Sequence, residues 1–355
     1  MGFPTVKRMK RNPEKFEVID LYTTLGRENG YKLSVDEDLD NFISRVKDSL
    51  KASFDNKNLL HGKRVEALFA HVAGALGQCQ LIKQEDSGNL FSDGNDIQAP
   101  DYVLVLKDGQ RIFVEVKNCH FSNPKSPYPF RKDYVERLEK YAELNGAPLK
   151  FAIYFSFFNK WLLVSKESLI EQHRRYVATF LHSTAMNEMA ILGDRMIGVK
   201  PPLSVVLVAD RDKPAFVDEN AQAQFIISDV KLYCDGVEIL DKTEKDIAFY
   251  LVRFGNFLES ECKAFYDGEE LRGVKFDYAP ESPSEEQIFS MIGDLSSMVS
   301  SSYSDHTVND RKLVALDTKA DPEIFSVYIP DSYHGEHLPL WQFIMQPNPD
   351  FKVDV

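Results

Sequence analysis

Apolar residues recur along this chain with two different periods, and the changes of period mark out its elements. Between positions 36 and 50, Leu39, Phe42, Ile43, Val46 and Leu50 follow each other at helical spacing behind a run of acids, which predicts an amphipathic helix. Val65, Leu68, Phe69 and Val72 predict a second helix over 60–77, ended by Gly77. Positions 79–85 read as a strand, and 86–95 as a polar, glycine-containing loop. Residues 102–106 and 110–114, rich in Val, Ile, Leu and Phe, flank Lys107, Asp108 and Gly109, the pattern of a β-hairpin. A helix over 134–141 and strands over 149–156 and 161–164 follow, and the loop 118–130 between hairpin and helix is a candidate substrate-facing flap. Positions 166–192 predict a helix, with Leu169, His173, Tyr176, Phe180 and Leu181 along one side, and Pro201-Pro202 marks a boundary.

Beyond it, strands are expected over 203–209 and 225–234, and a helix over 244–258 carrying Ile247, Tyr250, Leu251 and Phe254. A turn over 279–284 should cap a helix over 285–299, a serine-rich loop should cover 296–305, and short strands should lie near 312–316, 325–329 and 338–345. The fold class is α/β (α+β): an amino-terminal arm and helical segment over 1–59, a sheet flanked by helices over 60–200, and an α+β accessory domain over 201–355.

The hairpin carries the chemistry. If Lys107 and Asp108 form a type I turn and Gly109 takes the left-handed position, the loop has three residues and Leu106 faces Gln110. Counting outward, Asp101 lies opposite Glu115, and Lys117 shares that face because side chains alternate with period two. A two-residue loop at Asp108-Gly109 would put Asp101 on the other face. Two carboxylates at the end of adjacent strands can hold Mg²⁺, and a lysine beside them can orient water or neutralise charge on a phosphate. Acid-x-Lys occurs seven times, but only Glu115 lies on an apolar strand paired with another that begins at an acid. The competing structural account is an edge hairpin with a solvated charged tip.

Pro100, Asp101, Glu115 and Lys117 in this setting resemble the PD-(D/E)xK phosphodiesterase superfamily, which includes restriction endonucleases and archaeal Holliday junction resolvases. The likeness runs over roughly 60–165, in the order helix, strand, strand, helix, strand. It implies a restriction endonuclease-like core with a central mixed sheet and a Mg²⁺-dependent activity on DNA in which Mn²⁺ can substitute. Asp101 and Glu115 would hold the metal with the Val116 carbonyl and Glu66, the glutamate of the preceding helix, and Lys117 would orient water. Some branches carry Gln-x-x-x-Tyr on the helix after the hairpin; here Arg137 replaces the glutamine and Tyr141 keeps the tyrosine.

Charge adds a direction. The net charge is −13, yet residues 211–355 hold 13 basic and 28 acidic side chains, leaving 29 against 27 in residues 1–210. Phosphate contacts dominate nucleic-acid affinity, so the amino half is the better DNA face, with Lys7, Arg8, Lys10 and Arg11 of the arm and Arg137 as candidate contacts. The acidic carboxyl half is a candidate surface for a protein partner, and paired cuts on a duplex would favour a homodimer. Cys79, Cys119, Cys234 and Cys262 lack metal-ligand spacing, and no secretory signal or membrane-length apolar run is present, so reduced thiols in the cytoplasm and no membrane are expected. His120 is the histidine nearest the hairpin site, and His334 and His337 resemble a metal pair only in spacing. No nucleotide-binding loop is found. The expected activity is an endonuclease of restriction or defence type; the alternatives are a structure-selective repair resolvase and a non-catalytic nuclease-fold module.

Overall fold

The computed structural model describes residues 5–9, 13–85, 90–93, 96–282 and 286–351. Three helices come first: α1 (Pro13–Asn29), α2 (Asp36–Asp55) and α3 (Lys57–Ala75). Asp36, Glu37 and Asp38 set negative charge at the positive end of α2. The Asn56 side chain accepts from the Leu59 N–H at 3.1 Å and starts α3. Gly77, at φ +81°, turns the chain out of that helix into the sheet.

The sheet holds β1 (Cys79–Gln84), β2 (Tyr102–Leu106) and β3 (Arg111–Cys119). After β4 (Tyr128–Arg131) and α4 (Lys132–Leu144) come β5 (Leu149–Phe155) and β6 (Lys160–Ser165). The strand order is β1-β2-β3-β5-β6, with β3 and β5 parallel and the other pairs antiparallel. The parallel pair needs a crossover, and α4 supplies it. Alternation along β3 sends Ile112, Val114 and Val116 to the apolar cluster under α3, and Phe113 and Cys119 to the cluster under α4.

The hairpin register is the three-residue form. Tyr102 pairs with Val114 and Val105 with Arg111. The Leu106 N–H donates to the Gln110 carbonyl at 2.8 Å, and Gly109 stands at φ +88°. The same register carried outward sets Asp101 against Glu115.

Past β6, the sequence misleads about positions 166–192. They form β7 (Ile170–Gln172), β8 (Arg175–Ala178) and only a short helix, α5 (Phe180–Ala185), capped by Thr179. Tyr176 and Val177 suit a strand, and β8 joins β4 and β7 in a small sheet. β9 (Met196–Val199) and β10 (Leu203–Ala209) lead into the second half. There β10 is central in a five-stranded antiparallel sheet with Ile227–Cys234 and Glu270–Ala279 beside it. The long hairpin Leu258–Asp267 with Glu270–Ala279 was not anticipated, and Leu258 belongs to it rather than to α6 (Lys242–Phe254).

The expected helix over 285–299 is instead the strand Ser290–Asp294 followed by α7 (Leu295–Thr307), so the serine-rich loop is helix. Part of the expected turn and of the helix's start lies outside the described residues. Ser296, Ser300 and Thr307 are fully buried. The Ser300, Ser304 and Thr307 hydroxyls donate to carbonyls four residues back, at 2.8, 2.8 and 3.0 Å, so these polar side chains need no water. The expected strand near 325–329 is also absent; Pro322–Phe325 form a 3₁₀ turn. The strand Leu340–Phe343 is present and pairs with β9.

The cluster under α3 does not stop at residue 200. It joins Leu68, Phe69, Val116 and Trp161 to Ile247, Met298, Tyr303 and Phe325. Charge crosses the same seam: Lys7 pairs with Glu323 at 3.4 Å, and Arg8 with Asp317 at 2.8 Å. The Arg8 N–H donates to Asp321 at 3.1 Å. Among the described residues, no helix is long and apolar enough to cross a membrane.

Candidate active site

At the open end of the hairpin, Asp101 and Glu115 are 8 % and 4 % exposed. The Val116 N–H donates to Asp101 Oδ2 at 2.7 Å, which fixes that carboxylate from the strand next to it. Glu115 Oε1 accepts from both Lys117 Nζ and the Tyr134 hydroxyl, and Lys117 Nζ also donates to the Tyr134 oxygen at 3.0 Å. Lys117 and Glu115 share a face because they are two residues apart on β3, and α4 carries Tyr134 to them.

Burial, and after it the charge of Glu115, push the Asp101 carboxyl up to about 7, against the opposing pull of the Val116 N–H and Lys117. Glu66 adds a smaller push, which places its charge within reach of Asp101. Burial works against the Lys117 ammonium, but Glu115 and Tyr134 outweigh it and raise its pKa above the ordinary lysine value. Lys117 is therefore a standing cation and not a base. The Tyr134 hydroxyl is raised, first by burial and then by Glu115, so it remains a donor.

Asp101→Asn should stabilise the metal-free protein above neutral pH. A carboxyl that titrates at about 7 in the fold and near 4 when unfolded binds its proton more tightly when folded. The wild type then loses stability as pH rises from about 4 to about 7, and the full penalty stands above that window. Asparagine removes the penalty and keeps an acceptor for the Val116 N–H. Urea midpoints in chelator at pH 5 and pH 8 measure this: the variant's advantage should be larger at pH 8. Equal midpoints at pH 8 would rule out carboxylate repulsion at this site.

The other candidates fall in different places. Glu66 is on α3, its carboxylate 2.6 Å from Lys63 Nζ, and its carbonyl accepts from the Tyr102 hydroxyl at 3.1 Å, which ties α3 to β2. Arg137 of α4 stands 3.5 Å from Asp133 and 3.6 Å from Asp96. Lys7 and Arg8 are engaged by the acids of the carboxyl-terminal segment, and Lys10 and Arg11 lie outside the described residues. Tyr141 donates to Glu85 at 2.7 Å. His71 is buried against Asp317 at 3.0 Å, and His337 faces Glu244, whose carboxylate caps the 336–337 turn by accepting two backbone N–H groups. Among the described residues, no three His, Cys, Asp or Glu side chains converge as a metal-holding group.

Tyr134 is the site residue that sequence reasoning missed. It precedes Val135, and Val135, Leu138, Tyr141 and Ala142 are the buried face of α4. An aromatic hydroxyl at the edge of that face, in the first turn nearest the hairpin, is the signal that would have found it.

A cavity of about 610 Å³ opens between α3 and the end of β3, bordered by Gly62, Glu66, Lys117, Asn118, Tyr128 and Tyr154. His120, exposed at its edge, is the only described histidine of β3 or the residues just after it.

No protein-family model matches the chain, and no curated protein matches it. Among solved structures, it is similar to Hjc of Archaeoglobus fulgidus, a Holliday junction resolvase from an archaeal hyperthermophile. The identity is 19% and the TM-score 0.23, over 29% of this chain and 76% of that one.

Proposed function

We propose that this chain is a metal-dependent endonuclease that hydrolyses DNA phosphodiester bonds. One observation carries the proposal: two buried carboxylates face each other at a hairpin end, with a lysine held cationic beside them. Burial first and then the charge of Glu115 raise the Asp101 carboxyl, and a structural role would not call for two acids buried side by side.

The donor set fits a hard divalent ion such as Mg²⁺, with Mn²⁺ able to replace it. Asp101, Glu115 and the Val116 carbonyl offer oxygen ligands, with Glu66 as a supporting acid. When bound, such an ion would polarise the phosphate and make water more acidic. Asp101 must lose its proton to serve as a ligand, so metal affinity should strengthen as pH rises through about 7. Lys117 neutralises charge developing on the phosphate and orients the attacking water, and Tyr134 holds its ammonium in place.

The test is nicking of supercoiled plasmid. Cleavage that needs Mg²⁺ or Mn²⁺ and stops with chelator is the expected result, and no cleavage with either ion would overturn the proposal. A second reading, a non-catalytic nuclease-fold module, draws on the fact that Glu115 is already satisfied by Lys117 and Tyr134. Binding without cleavage in the same assay would favour it. Restriction of duplex DNA and resolution of branched DNA are separated by offering both substrates.

A further inference from the structure

We infer that the cavity beside Lys117 receives one unpaired base of the substrate strand, so that the protein acts on single-stranded or locally opened DNA; this rests on the endonuclease proposal above. The cavity, about 610 Å³, is within the range of roughly 300–1,000 Å³ usual for small-ligand sites. It borders Lys117, whose ammonium ends on Glu115, so a nucleotide seated there has its phosphate next to the carboxylates.

Its walls suit a base. Tyr128, partly exposed, presents its ring on one side, and the buried Tyr154, stacked on Trp161 with centroids 4.8 Å apart and its hydroxyl bound to Asn159 at 2.8 Å, makes the wall behind rigid. Aromatic platforms of this kind bind unpaired bases whatever their sequence. Asn118 completes the wall at the end of β3. Gly62 keeps the α3 side open, since a Cβ built there meets nothing within 4 Å. A base can enter the cavity only when it is unpaired, so a duplex would have to open locally to seat one there.

The test uses the full chain with its wild-type site in chelator, which separates binding from cleavage. Anisotropy would be measured with a short fluorescein-labelled single strand, with the same strand annealed to its complement, and with an abasic version. The single strand should bind at least about tenfold more tightly than the duplex, and the abasic strand should lose that advantage. Gly62→Leu in the same background should weaken single-strand binding about tenfold by filling the cavity, while its melting temperature stays the same or rises, because glycine is a poor helix residue. Equal binding to single strand and duplex, indifference to Gly62→Leu, or no binding to any probe would overturn the inference. Wild-type plasmid nicking is scored separately: nicking with equal duplex and single-strand affinity refutes the base pocket alone, and absence of nicking refutes the endonuclease.

Discussion

Glu115→Gln and Lys117→Ala should each lower the rate of plasmid nicking by at least about 10²-fold, the scale on which single groups at a developing charge act. The double variant should be little slower than either, because the two groups form one unit. Their effects on stability should differ, and that difference identifies the site's electrostatics. Glu115→Gln keeps an amide oxygen for the Lys117 ammonium, 23% exposed, but removes its nearest counter-charge, a loss of part of the ~1.5–3 kcal/mol that a hydrogen bond to a charged group contributes. Lys117→Ala removes the cation and leaves Glu115 facing Asp101 without its counterion. Added Mg²⁺ should then raise the melting temperature of Lys117→Ala more than that of the wild type, since the ion replaces the missing charge without displacing a lysine. Nicking at wild-type rates by either folded variant would remove these residues from catalysis. A Mg²⁺ shift no larger in Lys117→Ala than in wild type would mean that the carboxylates are not the ion's ligands.

The site was legible because its geometry is local. Strand period and one glycine turn determine the register from Asp101 to Glu115, and both can be counted along fifteen consecutive residues. Tyr134 was legible only as an aromatic at the edge of the buried face of α4; its meeting with Lys117 depends on how α4 crosses the sheet. The helix α7 failed for another reason. Its serines read as solvent-facing, and only tertiary burial plus hydroxyl bonds to preceding carbonyls makes them a core helix. In residues 166–192 a chance helical spacing outweighed the β-branched and aromatic residues that β8 uses to pair with β4. The basic arm shows the limit of charge counting. The basic excess of the arm suggested a phosphate contact, and in the fold Lys7 and Arg8 pair with the chain's own Glu323 and Asp317.

The same tertiary burial makes a second large effect expected: a chain ending at residue 200 should not fold cooperatively. The position immediately precedes Pro201-Pro202, a natural boundary in sequence, but the core runs through it. Trp161, fully buried, donates its indole N–H to Ser300 at 2.9 Å. Arg64, 7 % exposed, is satisfied by Thr307 and Ser304, each at 2.9 Å, and truncation removes both partners and the helix that covers it. Gly74 of α3 lies so close to Pro322 that a Cβ there would come within 2.7 Å of the proline ring. Removing residues 201–355 strips partners from the faces of α3 and β6 that bury Leu68, Phe69, Val72 and Trp161. At about 1.5–3 kcal/mol for each large apolar side chain, uncovering even these four approaches the whole net stability of an ordinary domain, about 5–15 kcal/mol. Tyr303→Ala in the full chain, a smaller version of the same loss, should cost about 3–5 kcal/mol. Urea unfolding followed by tryptophan fluorescence and near-ultraviolet circular dichroism decides both. A fragment 1–200 with a sharp transition and fixed aromatic signals would establish residue 200 as a true domain boundary, whereas a broad transition without near-ultraviolet signal would make the carboxyl half a structural part of the amino-terminal core.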